Sequence, residues 1–266
     1  LQSYGVSVKH MKSPDKDIIK LSFQTDAGIG SRARIGLLVL QTDQTIEHEV
    51  AQLTAFDGVA CYHARLPNDA AVSSTTLEKM EQELPQAARL LAPELGLTSL
   101  GYACTSGSSI IGEARVNQIL KSIHPGVPSS NPLEAAKAAF LALDVSRIGL
   151  VTPYTPEVTR SVEDNFARSG IAVSVVGSFY EKNDLEVGKI TEKSILEAAI
   201  SVGQDPRCEA VFISCTSLRS AKVIAKAEAQ LGKPVISSNY ALVWHLLRLS
   251  GIHDEVPEAG TLFTQH

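Results

Sequence analysis

The sequence lacks the features that mark several large classes of protein. No apolar run reaches the roughly 18 residues that a membrane-spanning helix needs. Residues 1–20 mix charged side chains throughout instead of presenting the apolar core of a secretion signal. Lys and Arg total 24 against 29 Asp and Glu, which gives a net charge of −5 without a long basic cluster. We therefore expect a cytoplasmic protein that binds neither membranes nor nucleic acid.

Cysteine is also scarce, with four residues in a chain of 266. They form no CxxC pair and no Cys/His spacing typical of zinc sites, so we expect no metal. So few cysteines in a chain of this length also argue against a disulfide scaffold. Gly28-Ile29-Gly30 lacks the third glycine of a dinucleotide fingerprint and follows no predicted strand. This motif therefore gives no support for a nucleotide cofactor.

What the sequence does contain is an internal repeat. An apolar segment runs into Cys104-Thr105-Ser106, and a second one runs into Cys215-Thr216-Ser217, 111 residues later. Two further elements return in the same order at nearly the same distance: Arg34-Ile35-Gly36-Leu37 as Arg147-Ile148-Gly149-Leu150, and Ser129-Ser130-Asn131 as Ser237-Ser238-Asn239. We interpret this pattern as a duplicated unit with one cysteine at an equivalent place in each half.

Short apolar runs alternate with helical patterns in both halves. Strands are predicted at 34–40, 59–66, 97–103, 147–152, 171–176, 210–214 and 234–236. Helices are predicted at 46–53, 75–91, 110–122, 133–143, 157–169, 190–202, 218–231 and 241–249. This alternation implies right-handed parallel crossovers and hence an α/β fold.

The duplication predicts two pseudo-symmetric lobes, each a parallel sheet flanked by helices, with the active site in the cleft between them. We assign residues 1–33 to an N-terminal extension and 34–131, completed by 239–266, to the first lobe. Residues 132–238 form the second lobe. Sites in open parallel sheets lie at the carboxyl ends of the strands. The polar elements at predicted strand ends are Asp43, Cys104, Ser129–Asn131, Tyr154, Cys215 and Ser237–Asn239. We expect them to line one cleft.

Two cysteines facing each other across a cleft can perform two kinds of chemistry. A free thiol has a pKa near 8.5, and a helix N-terminus stabilises its thiolate. Cys104 and Cys215 both precede Thr-Ser and then a predicted helix, so we expect activated thiols. Such a pair can remove a proton from one face of a carbon and return one to the other, which is two-base racemisation. It can instead add a thiolate to an activated C=C bond, permit rotation, and eliminate.

Other polar residues fit ligand contacts or purely structural roles. The hydroxyls of Thr105, Ser106, Thr216 and Ser217, with turn N–H groups, can hold a carboxylate. Tyr154 can donate its hydroxyl to a carboxylate or pack as a turn aromatic.

Three further residues lie near predicted helix starts, where ligand binding and helix capping are both reasonable. Asn131 and Asn239 can be ligand donors or caps, and their repetition favours ligand donors. Asp43 can bind a ligand or cap the helix that follows it.

On these residues the chain resembles the aspartate/glutamate racemase superfamily. The branch is the one that holds maleate cis–trans isomerases, arylmalonate decarboxylases and ectoine-utilisation racemase-like proteins. The resemblance covers residues 34–265 and is carried by Arg34-Ile35-Gly36, Leu100–Cys104, Pro153-Tyr154, Cys215 and Gly232–Val235. It implies two pseudo-symmetric lobes, no cofactor, a small carboxylate between the cysteines, and a homo-oligomer.

Departures from the family patterns narrow the expected substrate. Arylmalonate decarboxylases keep only the second cysteine, so Cys104 argues against decarboxylation. Maleate isomerases carry Asn in a Pro-Ser-Ser-Asn-Thr turn where this chain has Asp43. Ionised Asp only accepts hydrogen bonds and repels a carboxylate, so it suits an ammonium group. The segments that look closest to the ectoine-utilisation proteins are Thr42-Asp43, Cys104–Ser108, and Ser237-Ser238-Asn239 with Trp244-His245.

We therefore predict a cofactor-independent racemase or isomerase acting on a small, amino-acid-like carboxylate such as an amino acid or acylated diamino acid. Cys104 and Cys215 are the acid/base pair, or nucleophile and acid, and Asp43 binds an amino group or orients a thiol. One alternative is maleate cis–trans isomerisation. Another is a non-catalytic two-lobed binding protein, which the facing cysteines and the lack of a secretion signal oppose.

Overall fold

The computed structural model describes residues 21–257 and 259–266. Most of the predicted N-terminal extension, residues 1–20, lies outside the described residues. Residues 21–32 contain no helix or strand, and almost all of them are exposed. The regular structure begins at the first repeated element.

Two four-stranded parallel sheets form the framework. The first contains β1 (Ala33–Leu40), β2 (Val59–Leu66), β3 (Ser99–Ala103) and β4 (Ser129–Ser130). The second contains β5 (Arg147–Thr152), β6 (Ala172–Ser178), β7 (Ala210–Ile213) and β8 (Val235–Ser237). The strand orders are β2-β1-β3-β4 and β6-β5-β7-β8. The same order in both sheets confirms the predicted pair of pseudo-symmetric α/β lobes.

The central strand of each sheet is the most deeply buried. In β1 every residue except Arg34 is buried, and Leu37 pairs with His63 of β2 and Gly101 of β3. Such a strand needs apolar side chains on both faces, which is why it is a continuous apolar run in the sequence. The equivalent Leu150 of β5 lies between β6 and β7 and is fully buried.

Helices cover both sheets. They are α1 (Ile46–Leu53), α2 (Ser74–Arg89), α3 (Thr105–Ile111), α4 (Glu113–Ile123), α5 (Pro132–Ala142), α6 (Pro156–Arg168), α7 (Asp184–Val187), α8 (Glu192–Gly203), α9 (Ala221–Leu231), α10 (Ser238–Leu249) and α11 (Thr261–Gln265), with a 3₁₀ turn at Pro93–Leu95. Within the described ranges, none of these helices has the length and apolarity to cross a membrane.

Two of the predicted helices are wrong in ways that affect the site. The segment predicted as one helix over 110–122 is two helices, because Gly112 adopts a φ of 92° and separates α3 from α4. This left-handed region favours glycine. Helix α3 also begins earlier than predicted, at Thr105, so Cys104 is its N-cap residue. The helix predicted from Leu218 begins only at Ala221. Strand β4 and helices α7 and α11 were not predicted.

The two lobes exchange helices. Helix α5 follows β4 of the first sheet, yet its Phe140 contacts Phe166 and Phe212 of the second lobe at ring-centroid distances of 5.9 and 6.0 Å. Helix α10 follows β8 of the second sheet, yet the Ser99 hydroxyl of β3 donates to its Leu246 carbonyl at 3.0 Å. The predicted lobe boundaries at 131 and 238 depend on this exchange, and they stay a prediction.

Candidate active site

Cys104 and Cys215 line one cavity between the lobes, at the carboxyl ends of β3 and β7. The cavity has a volume of about 20 Å³. Its described lining contains no Lys, Arg or His and consists of Leu40, Asn68, Asp69, Val72, Thr76, Leu77, Met80, Cys104, Thr105, Ser106, Tyr154, Asp184, Cys215 and Thr216. Parallel strands in both lobes thus bring together two thiols that are 111 residues apart in the chain.

Cys104 is the N-cap residue of α3. The N–H of Gly107 donates to its Sγ at 3.2 Å, and Ser106 Oγ lies 3.7 Å from the same sulfur. A Cβ on Gly107 would lie 3.0 Å from that sulfur and would also collide with Tyr102 and Met80. Glycine at this position therefore allows the helix N-terminus to approach the thiol closely.

The expectation of activated thiols is wrong for the cavity as it stands. Burial raises the pKa of Cys104 to about 11, and the hydrogen bond from Gly107 opposes that rise without cancelling it. The thiol is 3% exposed. Removing a thiolate from water outweighs the stabilisation that one helix N-terminus offers.

Cys215 has a different environment from its repeat partner. It adopts a φ of 128°, a strained value for a residue with a side chain, and it precedes a turn instead of a helix. Burial, and next the negative charge of Asp184, raise the pKa of Cys215, while a polar contact from the Tyr154 hydroxyl opposes the rise. The two cysteines are therefore equivalent in topology and unequal in chemistry.

Helix α9 begins at Ala221, six residues after Cys215, so Cys215 is not at a helix N-terminus. The Glu49 carboxylate of the first lobe accepts the backbone N–H groups of Ser220 and Ala221 at 2.7 and 2.8 Å. The carboxylate that caps α9 thus comes from α1 of the other lobe. It binds the chain at Ser220, five residues after Cys215. Residues 216–220 form an irregular segment between Cys215 and the helix.

Ser238 joins the two cysteine segments. Its Oγ accepts the Cys215 N–H at 3.0 Å and the Thr105 hydroxyl at 2.7 Å. A second link runs from the Thr216 hydroxyl to the Ala103 carbonyl at 3.4 Å. Ser238 is fully buried at the start of α10, so this exchanged helix sets the relative position of the two thiols.

Of the predicted ligand contacts, the structure places Thr105, Ser106, Tyr154 and Thr216 in the cavity lining with the cysteines. Tyr154 is 2% exposed, and burial followed by the nearby Cys215 and Cys104 raises its pKa. Its hydroxyl therefore remains a protonated hydrogen-bond donor beside both sulfurs. Tyr154 and Ser106 can donate to a ligand in the cavity, whereas the hydroxyl protons of Thr105 and Thr216 are used in the links between the cysteine segments.

The two repeated asparagines do not line the cavity, which corrects the preference for ligand donors. Oδ1 of Asn131 accepts the N–H groups of Leu133 and Glu134 at 3.1 and 3.2 Å and caps α5. Nδ2 of Asn239 donates to Glu49 and to the Thr216 carbonyl, both at 2.8 Å. Their repetition reflects the repeated strand-to-helix connection.

Two further predicted contacts lie just behind the lining. Oδ1 of Asp43 accepts the N–H groups of Thr45 and Ile46 at 2.8 and 2.9 Å, so Asp43 caps the start of α1. Its Oδ2 is buried without a hydrogen-bond partner among the described residues. The Ser217 hydroxyl donates to Oδ1 of Asp184 at 2.8 Å. Neither residue lines the cavity, and their predicted contacts with substrate stay predictions.

The sequence did not predict four polar residues of the lining, namely Asn68, Asp69, Thr76 and Asp184, of which Asp184 is buried. Asp184 is 4% exposed and accepts hydrogen bonds from the hydroxyls of Ser217 and Thr42. Its charge contributes to raising the pKa values of Asp43, Cys104 and Cys215. Asp184 begins α7, six residues after β6 ends, and the strand-end rule extended along this connection would have found it.

Two connections meet over the cavity. The Val72 N–H donates to the Lys182 carbonyl at 2.8 Å, and the Asp184 N–H donates to the Ala70 carbonyl at the same distance. We call residues 67–72 and 182–184 the entrance segments. A cavity of about 20 Å³ holds about one water molecule. A carboxylate substrate is larger than this space, so the cavity has to widen to admit one.

Comparisons of sequence and of structure both relate this chain to arylmalonate decarboxylases and maleate isomerases. The family model for arylmalonate decarboxylase matches residues 35–263. Maleate isomerase from Alcaligenes faecalis is 23% identical over 248 residues, which cover 87% of this chain and 96% of the relative. These matches confirm the predicted branch of the aspartate/glutamate racemase superfamily, whereas the likeness to ectoine-utilisation proteins stays a prediction.

Solved structures match over nearly the same length. The maleate isomerase from Pseudomonas putida S16 superposes with a TM-score of 0.80 at 23% identity, covering 88% of this chain and 98% of the other. A variant of the Nocardia farcinica maleate cis–trans isomerase with a covalently bound succinylcysteine intermediate gives 0.81 at 24% identity, covering 88% and 99%. At this identity the likeness confirms the fold.

Proposed function

Because this chain belongs to the arylmalonate decarboxylase family, we propose that it is a cofactor-independent racemase or isomerase of a small, amino-acid-like carboxylate. The observation that carries the proposal is the pair of buried thiols, Cys104 and Cys215, on one cavity. Tyr154 lies beside both of them. The predicted cytoplasmic location and homo-oligomeric state remain part of the proposal.

Two-base chemistry requires one thiolate and one thiol. Burial raises the pKa of Cys104 to about 11 and raises that of Cys215 more strongly. Cys104 therefore ionises first in the unliganded protein and is the base, while Cys215 keeps its proton and is the acid. For the opposite enantiomer the roles exchange.

The remaining lining residues supply the carboxylate contacts. Tyr154 is a protonated donor, and the Ser106 hydroxyl lies in the same space. The hydroxyls of Thr105 and Thr216 already donate to Ser238 and to the Ala103 carbonyl, so these two residues position the site instead of donating to the carboxylate. As the α-proton leaves, negative charge moves onto the substrate carboxylate, where such donors stabilise it. Expulsion of water by the closed entrance segments strengthens each of these hydrogen bonds.

Maleate cis–trans isomerisation is the second candidate, favoured by the maleate isomerases among the relatives. The Nocardia farcinica structure contains a succinylcysteine, which is the product of thiol addition to a C=C bond. In this chain one cysteine would add to the alkene carbon and the other would protonate the neighbouring carbon. The buried carboxylates Asp43 and Asp184 oppose a dianionic substrate in this cavity.

The deciding experiment follows wild-type protein by NMR in D₂O with amino acids, diaminobutyrate derivatives and maleate. Deuterium at an α-carbon supports the racemase, and fumarate formed from maleate supports the second candidate. If no compound exchanges or isomerises, and the Cys104→Ser and Cys215→Ser variants bind ligand as the wild type does, the chain is a binding protein and the proposal fails.

A further inference from the structure

We infer that Asp184 selects the substrate by binding its ammonium group. The inference rests on the proposed function and identifies the ligand chemistry of the same site. Binding of the substrate amino group, which the sequence suggested for Asp43 of the first lobe, is thereby assigned to Asp184 of the second lobe. Asp184 lines the cavity with both cysteines, whereas Asp43 does not.

The position of Asp184 leaves hydrogen-bonding capacity for a ligand. Ser217 donates to Oδ1 and Thr42 donates to Oδ2. A carboxylate offers about four acceptor sites, so each oxygen keeps one unused. The two hydroxyls hold the carboxylate plane in place, and Asp184 is the first residue of α7. Asp184 is therefore a fixed acceptor next to the thiols.

The carboxylates of Asp184 and Asp43 have no ion-pair partner among the described residues, although Arg65 acts on Asp43 electrostatically and donates to its backbone carbonyl at 3.0 Å. Within the described ranges no Lys, Arg or His forms an ion pair with Asp184 or Asp43. Asp43 is 1% exposed, with one oxygen unpartnered, and its pKa is raised by burial and further by the charge of Asp184. Buried negative charge is unfavourable unless a cation pairs with it. A substrate ammonium group is that cation.

Binding of an ammonium group also links recognition to the thiols. The negative charge of Asp184 contributes to the raised pKa of each cysteine. A cation on Asp184 cancels that contribution, so thiolate formation becomes easier when the correct substrate is present. A dicarboxylate without an ammonium group adds negative charge and has the opposite effect.

The test uses Asp184→Asn, which keeps the shape and removes the charge. The ligands are an amino acid and the same carbon skeleton without its ammonium group, aspartate and succinate being the default pair. Calorimetric titration of the variant is expected to show about 10- to 100-fold weaker aspartate binding, the loss of one hydrogen bond to a charged group. Succinate is expected to bind more tightly than it does to the wild type.

Asp164→Asn is the matched control, because Asp164 is an exposed carboxylate on α6 that does not line the cavity. It is expected to leave the aspartate-to-succinate ratio unchanged. Asp184→Glu keeps the charge and is expected to preserve the preference for the ammonium ligand. Thermal unfolding of each variant verifies that it is folded.

Three results separate the inference from the proposed function. If wild-type protein exchanges α-protons and Asp184→Asn retains the wild-type ligand preference, the inference is wrong and the function stands. If the variant does not fold, wild-type titration decides, because succinate binding as tightly as aspartate contradicts the inference. If no panel compound reacts but the preference shifts as expected, the inference stands and the function fails.

Discussion

Ser238 provides the sharpest test of how the two cysteine segments are held together. Ser238→Ala leaves the Cys215 N–H and the Thr105 hydroxyl without their acceptor in a fully buried place. A buried unsatisfied group costs about 1–3 kcal/mol. Because the Thr105 hydroxyl can rotate and the backbone N–H cannot, we expect a total loss of about 2–4 kcal/mol in the free energy of unfolding.

The adjacent serine gives a matched control. Ser237 is also fully buried, but its hydroxyl accepts the Tyr240 N–H at 3.3 Å as the N-cap of α10. Loss of such a cap costs about 1 kcal/mol. Urea unfolding of Ser237→Ala and Ser238→Ala, in parallel with the wild type, is expected to separate the two variants by about 1–3 kcal/mol.

The two variants are also expected to differ in chemistry. Cys215 has a strained φ of 128°, and its backbone N–H donates to Ser238 Oγ. When this hydrogen bond is lost, we expect the backbone to relax and the thiol to shift away from Cys104. We expect at least about a tenfold fall in kcat/KM and faster alkylation of Cys215 by iodoacetamide. Ser237→Ala is expected to match the wild type in both measurements. Equal stability losses in the two serine variants, with unchanged Cys215 alkylation, would refute the coupling of the lobes through Ser238.

The remaining predictions concern Cys104 and the helix that follows it. Its pKa is raised by burial from 9.0 to about 11, so the folded state holds this proton more tightly than the unfolded chain. That stability is present below about pH 9 and is lost as pH rises through 11, a total of about 3 kcal/mol. Urea unfolding at pH 7 and at about pH 10.5 is expected to show a smaller loss for Cys104→Ser than for the wild type, and equal losses would contradict the assignment. In the wild type, kcat/KM is expected to rise about tenfold per pH unit from neutrality, whereas a plateau near pH 8 would indicate an activated thiol. Gly107→Ala is expected to lower the free energy of unfolding by about 1–3 kcal/mol and to abolish turnover, because its Cβ displaces the Cys104 sulfur. Gly126→Ala is the control for turnover, since a Cβ there meets no neighbour within 4 Å.

The framework was predictable because its signals are local. Buried parallel strands need continuous apolar runs, so β1, β2 and β5 were predicted to within one residue. Duplication then supplied the second lobe, and the strand-end rule brought Cys104 and Cys215 together. Each of these inferences uses residues close in the chain or a repeat that is visible by inspection.

The direction of the thiol pKa shifts was not predictable, because it depends on distant parts of the chain. Desolvation of Cys104 comes from its burial in the folded protein. The cavity that it lines is formed by both lobes, and the hydrogen bonds between the entrance segments join residues more than 100 positions apart. The capping of α9 by Glu49, 171 positions before Ser220, is equally invisible in the sequence. Repetition also misled where it marked a repeated strand-to-helix connection, as with Asn131, whose side chain caps α5.

The central claim is that two thiols act on opposite faces of one α-carbon. Enantiomer-resolved deuterium incorporation in D₂O, with wild-type, Cys104→Ser and Cys215→Ser proteins, tests it most directly. The account predicts that each serine variant loses racemisation but still exchanges the α-proton of one enantiomer, a different one for each variant. Racemisation that survives in either variant, or exchange of the same enantiomer by both, would contradict it.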